Sequence, residues 1–349
     1  MSRLGVIRCA LAAVLFGISA PAAARLTDDL SAFTLAGLLY LGAAIAVLPM
    51  LGSARPTAAA LRRGRNRLAL AVVFGGAIGP VLLAVGLADL SGATSSLLLN
   101  LELVFTTIVA AAVFREHIGR RVALGTLLVF SASILLGWGG QAEVRLGALF
   151  IAGACFCWAI DNSVTAALDE MAPAHITLVK GVIAGSVNFL IGVLGHGAPP
   201  LVPSLLALLV GAVGYGLSIT LWVAGARDLG AARGQLVFAT APFVGAVVAW
   251  TVFDNPVTTR EVVALAIAFT GVAFVLRSEH EHTHQHLEIR HDHEHVHSDG
   301  HHTHQHTDAT DERHQHQHSH QTMVHSHAHV PDVHHRHDHN DHNDHNDHH

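Results

Sequence analysis

Charge is scarce in this 349-residue chain: Asp, Glu, Lys and Arg make up 13% of it, and it holds one lysine, Lys180, three cysteines and two tyrosines. A water-soluble domain of this length needs about twice that share of charged residues. The shortage concentrates before residue 278, because the segment beyond that point is almost wholly polar although 51% of the chain is apolar. Cys9, Cys155 and Cys157 all lie in apolar stretches, and the last two point to different sides of one helix. Neither a disulfide framework nor a thiolate metal site is expected, and the three thiols read as small apolar filler. No phosphate loop follows a strand and no catalytic triad arrangement is present, so the chain is not expected to be an enzyme.

What the chain has instead is a series of apolar stretches. Ten of them, at 4–22, 31–51, 68–88, 93–113, 121–139, 146–165, 175–195, 203–224, 232–252 and 259–277, have the length that crosses about 30 Å of hydrocarbon at about 1.5 Å per residue. The expectation is an all-α, polytopic membrane protein of ten transmembrane helices. Arg3, Arg8 and an Ala-x-Ala ending at Ala24 give the first stretch the features of a secretory signal peptide. A repeat argues that it is a retained span. Sliding the chain by 139 positions lays VGLADLSGA (85–93) on AGARDLGAA (224–232), and a separate slide of about 141 lays 13–32 on 155–174, which makes the first helix the counterpart of the sixth. Five spans per repeat is odd, so two such repeats lie in opposite senses across the bilayer, an architecture of many secondary transporters. The expected organisation is a first repeat at 1–139, a second at 140–277 and a tail at 278–349.

Arginine sets the orientation. With the amino terminus inside, inner connections hold Arg3, Arg8, Arg55, Arg62, Arg63, Arg65, Arg67, Arg115, Arg120, Arg121, Arg227, Arg233 and Arg277, and outer ones only Arg25, Arg145 and Arg260. Both termini are therefore expected in the cytoplasm. RRGRNR at 62–67 reads as a stop to translocation, so no nucleic-acid partner is expected.

Two segments, NLELVFTTIVAAAVFREHIGRRVALGTLLVFSASILLGW (100–138) and TAPFVGAVVAWTVFDNPVTTREVVALAIAFTGVAFVL (240–276), resemble the EamA-type drug/metabolite transporters. FGISAP (16–21), AIDNSVTAAL (159–168), VKGVIAGSVN (179–188) and the histidine-rich end resemble one bacterial branch of that family. The resemblance implies two inverted five-helix repeats, alternating access, and efflux of a small solute by proton coupling or exchange at the bacterial inner membrane. It also marks departures. Relatives often carry a lysine near the end of the first helix, where this chain has Ala24 and then Arg25; the FREH of the first repeat becomes FDNP, so Asn255 stands opposite Glu116.

Polar residues inside the spans are the site candidates. A carboxylate at mid-bilayer costs about 3 kcal/mol on insertion scales, so Glu102, near the midplane of the fourth span, is the first candidate for a proton or substrate-cation site. Asn100 is close in sequence but lies about 200° around the helix from it. Asp161 and Lys180 are expected at similar depth on adjacent antiparallel helices, as an inner gate or a static clamp, with Asn162 and Asn188 lining the same cavity or bonding between helices. His117, His175 and His196 fall at helix ends and read as solvated side chains, and Arg115, Glu116, Arg120 and Arg121 as an interfacial cluster. Gly75, Gly76, Gly79 and Pro80 read as sites of close packing or a bend.

The tail holds 27 of the 30 histidines, all but the three just named. Its composition cannot bury a core, so it is expected to be disordered. Imidazoles with interspersed carboxylates suit nickel, zinc, cobalt or copper, and the metal candidates are His280, His282, His284, His286, His291, His293, His295, His297, His301, His302, His304 and His306. No cofactor is required. The expected partners are a small-molecule or ion substrate and the lipid bilayer, with a homodimer left open. Three readings of the tail compete: it feeds a transition metal to the membrane domain, it modulates transport of an organic solute, or it is an uncoupled buffer. A membrane-anchored metal sensor is the alternative from outside the transporter class.

Overall fold

The computed structural model describes residues 3–51, 56–113, 118–138, 142–166, 168, 171–229, 234 and 237–276, and the backbone of 280–286, 289–295, 314–320 and 323–329. Residues 279–330 form a compact unit of their own.

The first half of the helical unit runs α1 (Arg3–Ala24), α2 (Ala32–Val47), α3 (Ala58–Leu70), a π-helical segment (Ala71–Ile78), α4 (Gly79–Ala88), α5 (Gly92–Leu98), α6 (Leu101–Val113) and α7 (Arg120–Trp138). The second runs α8 (Ala142–Ala166), α9 (Pro173–His196), α10 (Leu201–Val210), a second π-helical segment (Gly211–Leu217), α11 (Ser218–Leu229), α12 (Ala241–Thr251) and α13 (Thr259–Leu276). Sequence explains the starts: Ser31 and Ser91 accept the amides of Thr34 (3.3 Å) and Thr94 (3.0 Å) as N-caps, and Pro173 opens α9 with its backbone already helical.

Eight helices among the described residues are long and apolar enough to span a membrane, from Arg3–Ala24 through Leu201–Gly225. In the region of the ninth expected span, α12 is a shorter apolar helix of 11 residues, and α13 in the tenth has 18. Leu127, Leu149, Leu190 and Leu194 are more than half exposed, while Ala12, Ala154, Ala246 and Ala264 are wholly buried. This pattern of large apolar residues outside and small ones between helices suits a lipid solvent, where close backbone packing replaces hydrophobic burial as the driving force.

Among the described residues several contacts recur between the halves. The helix α1 packs on α11 and α12, as α8 packs on α4 and α6; α2 packs on α9, α7 on α13 and α5 on α12. At two equivalent close crossings a Cβ on Gly86 would lie 2.7 Å from the Gly147 carbonyl, and one on Gly225 would lie 2.9 Å from that of Gly5. These equivalent contacts need glycine for the backbones to approach.

The same exchange relates the irregularities. The π segments lie 139 to 140 positions apart. The expected continuous fourth span is broken at Leu99–Asn100, where the Asn100 amide turns back to Leu97 O (3.2 Å) and Asn100 O receives the Leu103 amide (3.1 Å). Thr240 does the same with Val237 (3.2 Å) and Phe243 (3.1 Å). Side chains complete both breaks: Asn100 Nδ2 donates to Leu97 O (3.0 Å), and Thr240 Oγ1 to Val237 O (2.7 Å). Gly75, Gly76 and Gly79, read as packing or bend positions, lie in and just after the first π segment.

In the tail unit, β1 (His280–His286) pairs antiparallel with β4 (Met323–His329), and β2 (Ile289–His295) with β3 (His314–His320). Through residue 276 every described element is helical, as expected of an all-α membrane unit. Alternation of histidine with other residues matches the period of a strand. Such two-stranded ribbons have no apolar face by composition and are marginal alone in water.

Candidate functional site

The first π segment is the floor of the candidate site. Widening the helix to π hydrogen bonding displaces carbonyls from the regular ladder, and in a low-dielectric interior each must find another donor. Gly75 O receives two: the Tyr40 hydroxyl from α2 and the Trp158 indole Nε1 (3.3 Å) from α8. Ala77 O receives Asn188 Nδ2 (3.1 Å) from α9. Three helices thus converge on the carbonyls of a fourth. Tyr40 and Trp158 had no place among the sequence candidates, although an isolated tyrosine inside an apolar span is itself a polar signal.

Over this floor sits the pair that the sequence anticipated. Asp161 Oδ2 on α8 and Lys180 Nζ on α9 form an ion pair, with side chains 6% and 14% exposed. Thr165, one turn along, donates to Asp161 Oδ1 (3.1 Å). Gly75 makes the arrangement feasible, since a Cβ there would overlap the Asp161 carboxylate.

Glu102 stands in the first turn of α6, just past the break, where the helix dipole favours a negative group. Its Oε1 accepts a bond from Asn162 Nδ2 (2.6 Å), and it lies within electrostatic range of both Asp161 and Lys180. Among the described residues Glu102 has no ion-pair partner of its own. Behind the break, the Cys155 thiol lies 3.8 Å from both Leu98 O and Leu99 O, which gives this buried cysteine a polar task that small apolar filler would not have. Asn100 is buried, and its side-chain amide donates to Leu97 O at the break itself. Asn162 and Asn188 do both reach neighbouring helices, the first to Glu102 and the second to the π segment.

The equivalent place in the second half is built from different side chains. A Cβ on Gly214 would overlap the Cβ of Ser19, just as one on Gly75 would overlap Asp161. Ser19 bonds locally to Phe16 O (2.6 Å). The carbonyls of Gly214 and Gly216 are taken by Ser218 and by Thr220 (3.0 Å), hydroxyls of their own helix. In the register of the two breaks, Pro242 stands where Glu102 does. Rings fill the space: Phe16 lies 5.8 Å from Tyr215 and 5.3 Å from Phe238, and Tyr215 lies 5.9 Å from Tyr40.

The remaining candidates lie elsewhere. His196 ends α9, and His175, in its first turn, has a buried Nδ1 without a partner among the described residues, so it is not the freely solvated side chain expected. Among the described residues no three His, Cys, Asp or Glu side chains gather as a metal site would require. His280, His282, His284, His286, His291, His293 and His295 fall on β1 and β2, where only the backbone is described. His117, Arg115, Glu116, His297, His301, His302, His304 and His306 lie outside the described residues.

A sequence model of the EamA-like transporter family matches the chain twice, over residues 3–138 and 145–277. A protein of Methanothermobacter thermautotrophicus described as an uncharacterized transporter is 26% identical over 299 residues, 79% of this chain and 87% of that protein. A protein known from a crystal structure shares the fold with a TM-score of 0.57 at 16% identity, over 78% of this chain and 98% of its own. The two matched segments coincide with the two halves related by contacts and by irregularities. This multi-pass membrane protein belongs to the EamA-like transporter family.

Proposed function

We propose that the chain is a secondary transporter whose substrate or proton site is Glu102 with the Asp161–Lys180 pair, reached alternately from the two ends of ten spans in two inverted repeats. The observation that supports this reading is an asymmetry. Both halves carry a π segment and a broken span in register, yet charge accompanies them in one half only: Glu102 and Asp161 against Pro242 and Ser19. An anchor or scaffold has no use for a buried ion pair beside an unneutralised carboxylate at a helix break. A broken helix is where transporters commonly seat ions and small solutes.

Asn162 suits a carboxyl group that changes state, because its amide can donate to a carboxylate and accept from the protonated acid. Glu102 can therefore trade a proton for a cationic group of the cargo without losing its partner. Export of a small solute by proton coupling or exchange is the reading adopted. The arginine bias supports an orientation with both termini in the cytoplasm, at a bacterial inner membrane. The tail binds nickel, zinc, cobalt or copper and modulates transport. A transition metal as cargo is the second reading, favoured by the 27 histidines of the tail.

Proteoliposome uptake of radiolabelled nickel, cobalt and zinc under an imposed proton gradient separates these readings, using the intact chain, a chain lacking residues 278–349 and Glu102→Gln. Metal flux lost in Glu102→Gln and kept without the tail makes metal the cargo. No metal flux, with solute-driven proton release that disappears in Glu102→Gln, makes the cargo organic. Gradient-driven flux that Glu102→Gln leaves at the native rate overturns the assignment of Glu102.

A further inference from the structure

At the end of the bundle far from the amino terminus, one buried carboxylate outside the site described above ties the halves together. Glu261, in the first turn of α13, is 3% exposed. Its Oε2 serves its own helix: it accepts the Thr258 amide (3.2 Å) and hydroxyl (3.0 Å), the Glu261 amide returns to Thr258 Oγ1 (3.2 Å), and Trp250 Nε1 adds a longer bond (3.4 Å). This is a capping box, and it would satisfy Glu261 by itself. Yet Oε1 reaches across to the first half, accepting Ser91 Oγ and Thr94 Oγ1, both at 2.8 Å. Two further contacts bridge the same end. The Ala93 amide donates to Asn255 Oδ1 (3.4 Å), and Arg25 donates to Phe253 O while its guanidinium lies 5.8 Å from the Phe253 ring centre.

The opposite end is held differently. Arg8 of α1 and Asp228 of α11 pair at 2.7 Å with side chains 35% and 29% exposed. Water can replace each partner of such a pair at little cost, whereas hydroxyls that leave a buried carboxylate must be resolvated. We propose that Glu261 is the latch of the distal end, and that release of its Oε1 from Ser91 and Thr94 is the step that opens the path to the Glu102 site from that side. The proposal rests on the transporter reading and adds the residues that hold one gate shut. The capping arm explains how the latch can open without unfolding α13: Oε2 stays on Thr258 while Oε1 lets go.

The clean variant is Thr94→Val, which keeps the shape and leaves Ser91 as the cap of α5; Thr94→Ser restores a hydroxyl, and Thr258→Val cuts only the capping arm. Ser95 supplies the reporter, because it is fully buried next to Thr94 and its hydroxyl has no partner among the described residues. Each variant carries Ser95→Cys with the three native cysteines replaced by serine, and the rate of reaction with a membrane-impermeant maleimide is measured in proteoliposomes. The expected result is labelling about tenfold faster in Thr94→Val, a native rate in Thr94→Ser and no comparable rise in Thr258→Val. Equal rates in Thr94→Val and its parent overturn the proposal, as does a rise in Thr258→Val as large as that in Thr94→Val. Labelling needs no solute, so a failure of the latch is distinguishable from a failure of the transporter reading, which the flux assay tests.

Discussion

The two π segments occupy equivalent places and are satisfied in opposite ways. The carbonyls of Ala71–Ile78 take their donors from three other helices, through Tyr40, Trp158 and Asn188. Those of Gly211–Leu217 take theirs from Ser218 and Thr220 of the same helix. The first arrangement couples the segment to everything around it, and a shift of α2, α8 or α9 must break a buried bond. The second leaves its segment self-sufficient and its neighbours aromatic. Backbone symmetry here comes from small residues at equivalent crossings, while the chemistry comes from side chains that differ between the halves.

The comparison breaks most completely at Glu102. Its replacement by Gln keeps the shape and the bond to Asn162 but removes the exchangeable charge; flux falls by at least about a hundredfold, and Pro242→Ala in the other half changes it by less than about threefold. Proteoliposome flux reads both. A larger loss from Pro242→Ala would dissolve the asymmetry.

Lys180→Met comes next. It strands Asp161 in a site where its side chain is 6% exposed, and an unpaired buried charge costs about 3 kcal/mol. A marked fall in the thermal midpoint in detergent is expected. The Asp161→Asn/Lys180→Met double variant recovers most of the stability without recovering flux. Recovery of flux as well would make the pair a static clamp.

The glycine pair sharpens the same contrast. Gly75→Ala pushes on the Asp161 carboxylate and Gly214→Ala on Ser19, so both disturb a helix crossing. Only the first should lower flux more than it lowers the thermal midpoint. Smaller still is Tyr40→Phe: Gly75 O keeps the Trp158 donor, so the loss is about 1 kcal/mol. The smallest effect on the helical unit is expected from removing residues 278–349, which leaves the thermal midpoint unchanged while abolishing nickel binding in equilibrium dialysis.

Much of the site was legible one residue at a time. Glu102 and the Asp161–Lys180 pair stood out because an ionisable group is costly in an apolar span, and the pair was found by matching depths on adjacent helices. The partner of Glu102 was not legible, since Asn162 meets it only because α6 packs on α8. The backbone bond of Asn100 was not legible for a related reason: no local pattern shows that a polar side chain in a span will bond a carbonyl at a helix break. Glu261 had no place among the sequence candidates, and nothing local announced that its carboxylate binds Ser91 and Thr94, 167 to 170 positions away. Arg25 and Asn255, which depart from the pattern of the resembled family, both turn out to bridge the halves at that end.

The sequence by itself determined the solvent, the helical class through residue 276, the likeness of two halves and three of the ionisable residues inside the spans, Glu102, Asp161 and Lys180. Each of these follows from hydropathy, spacing or the cost of charge in hydrocarbon, which are properties of residues along the chain. Only the tertiary structure decided where helices yield to π turns and breaks, which carbonyls those irregularities release and which distant side chains take them up. A displaced carbonyl is satisfied by whatever donor the packing brings within about 3 Å, and that distance is set by helices far apart in sequence.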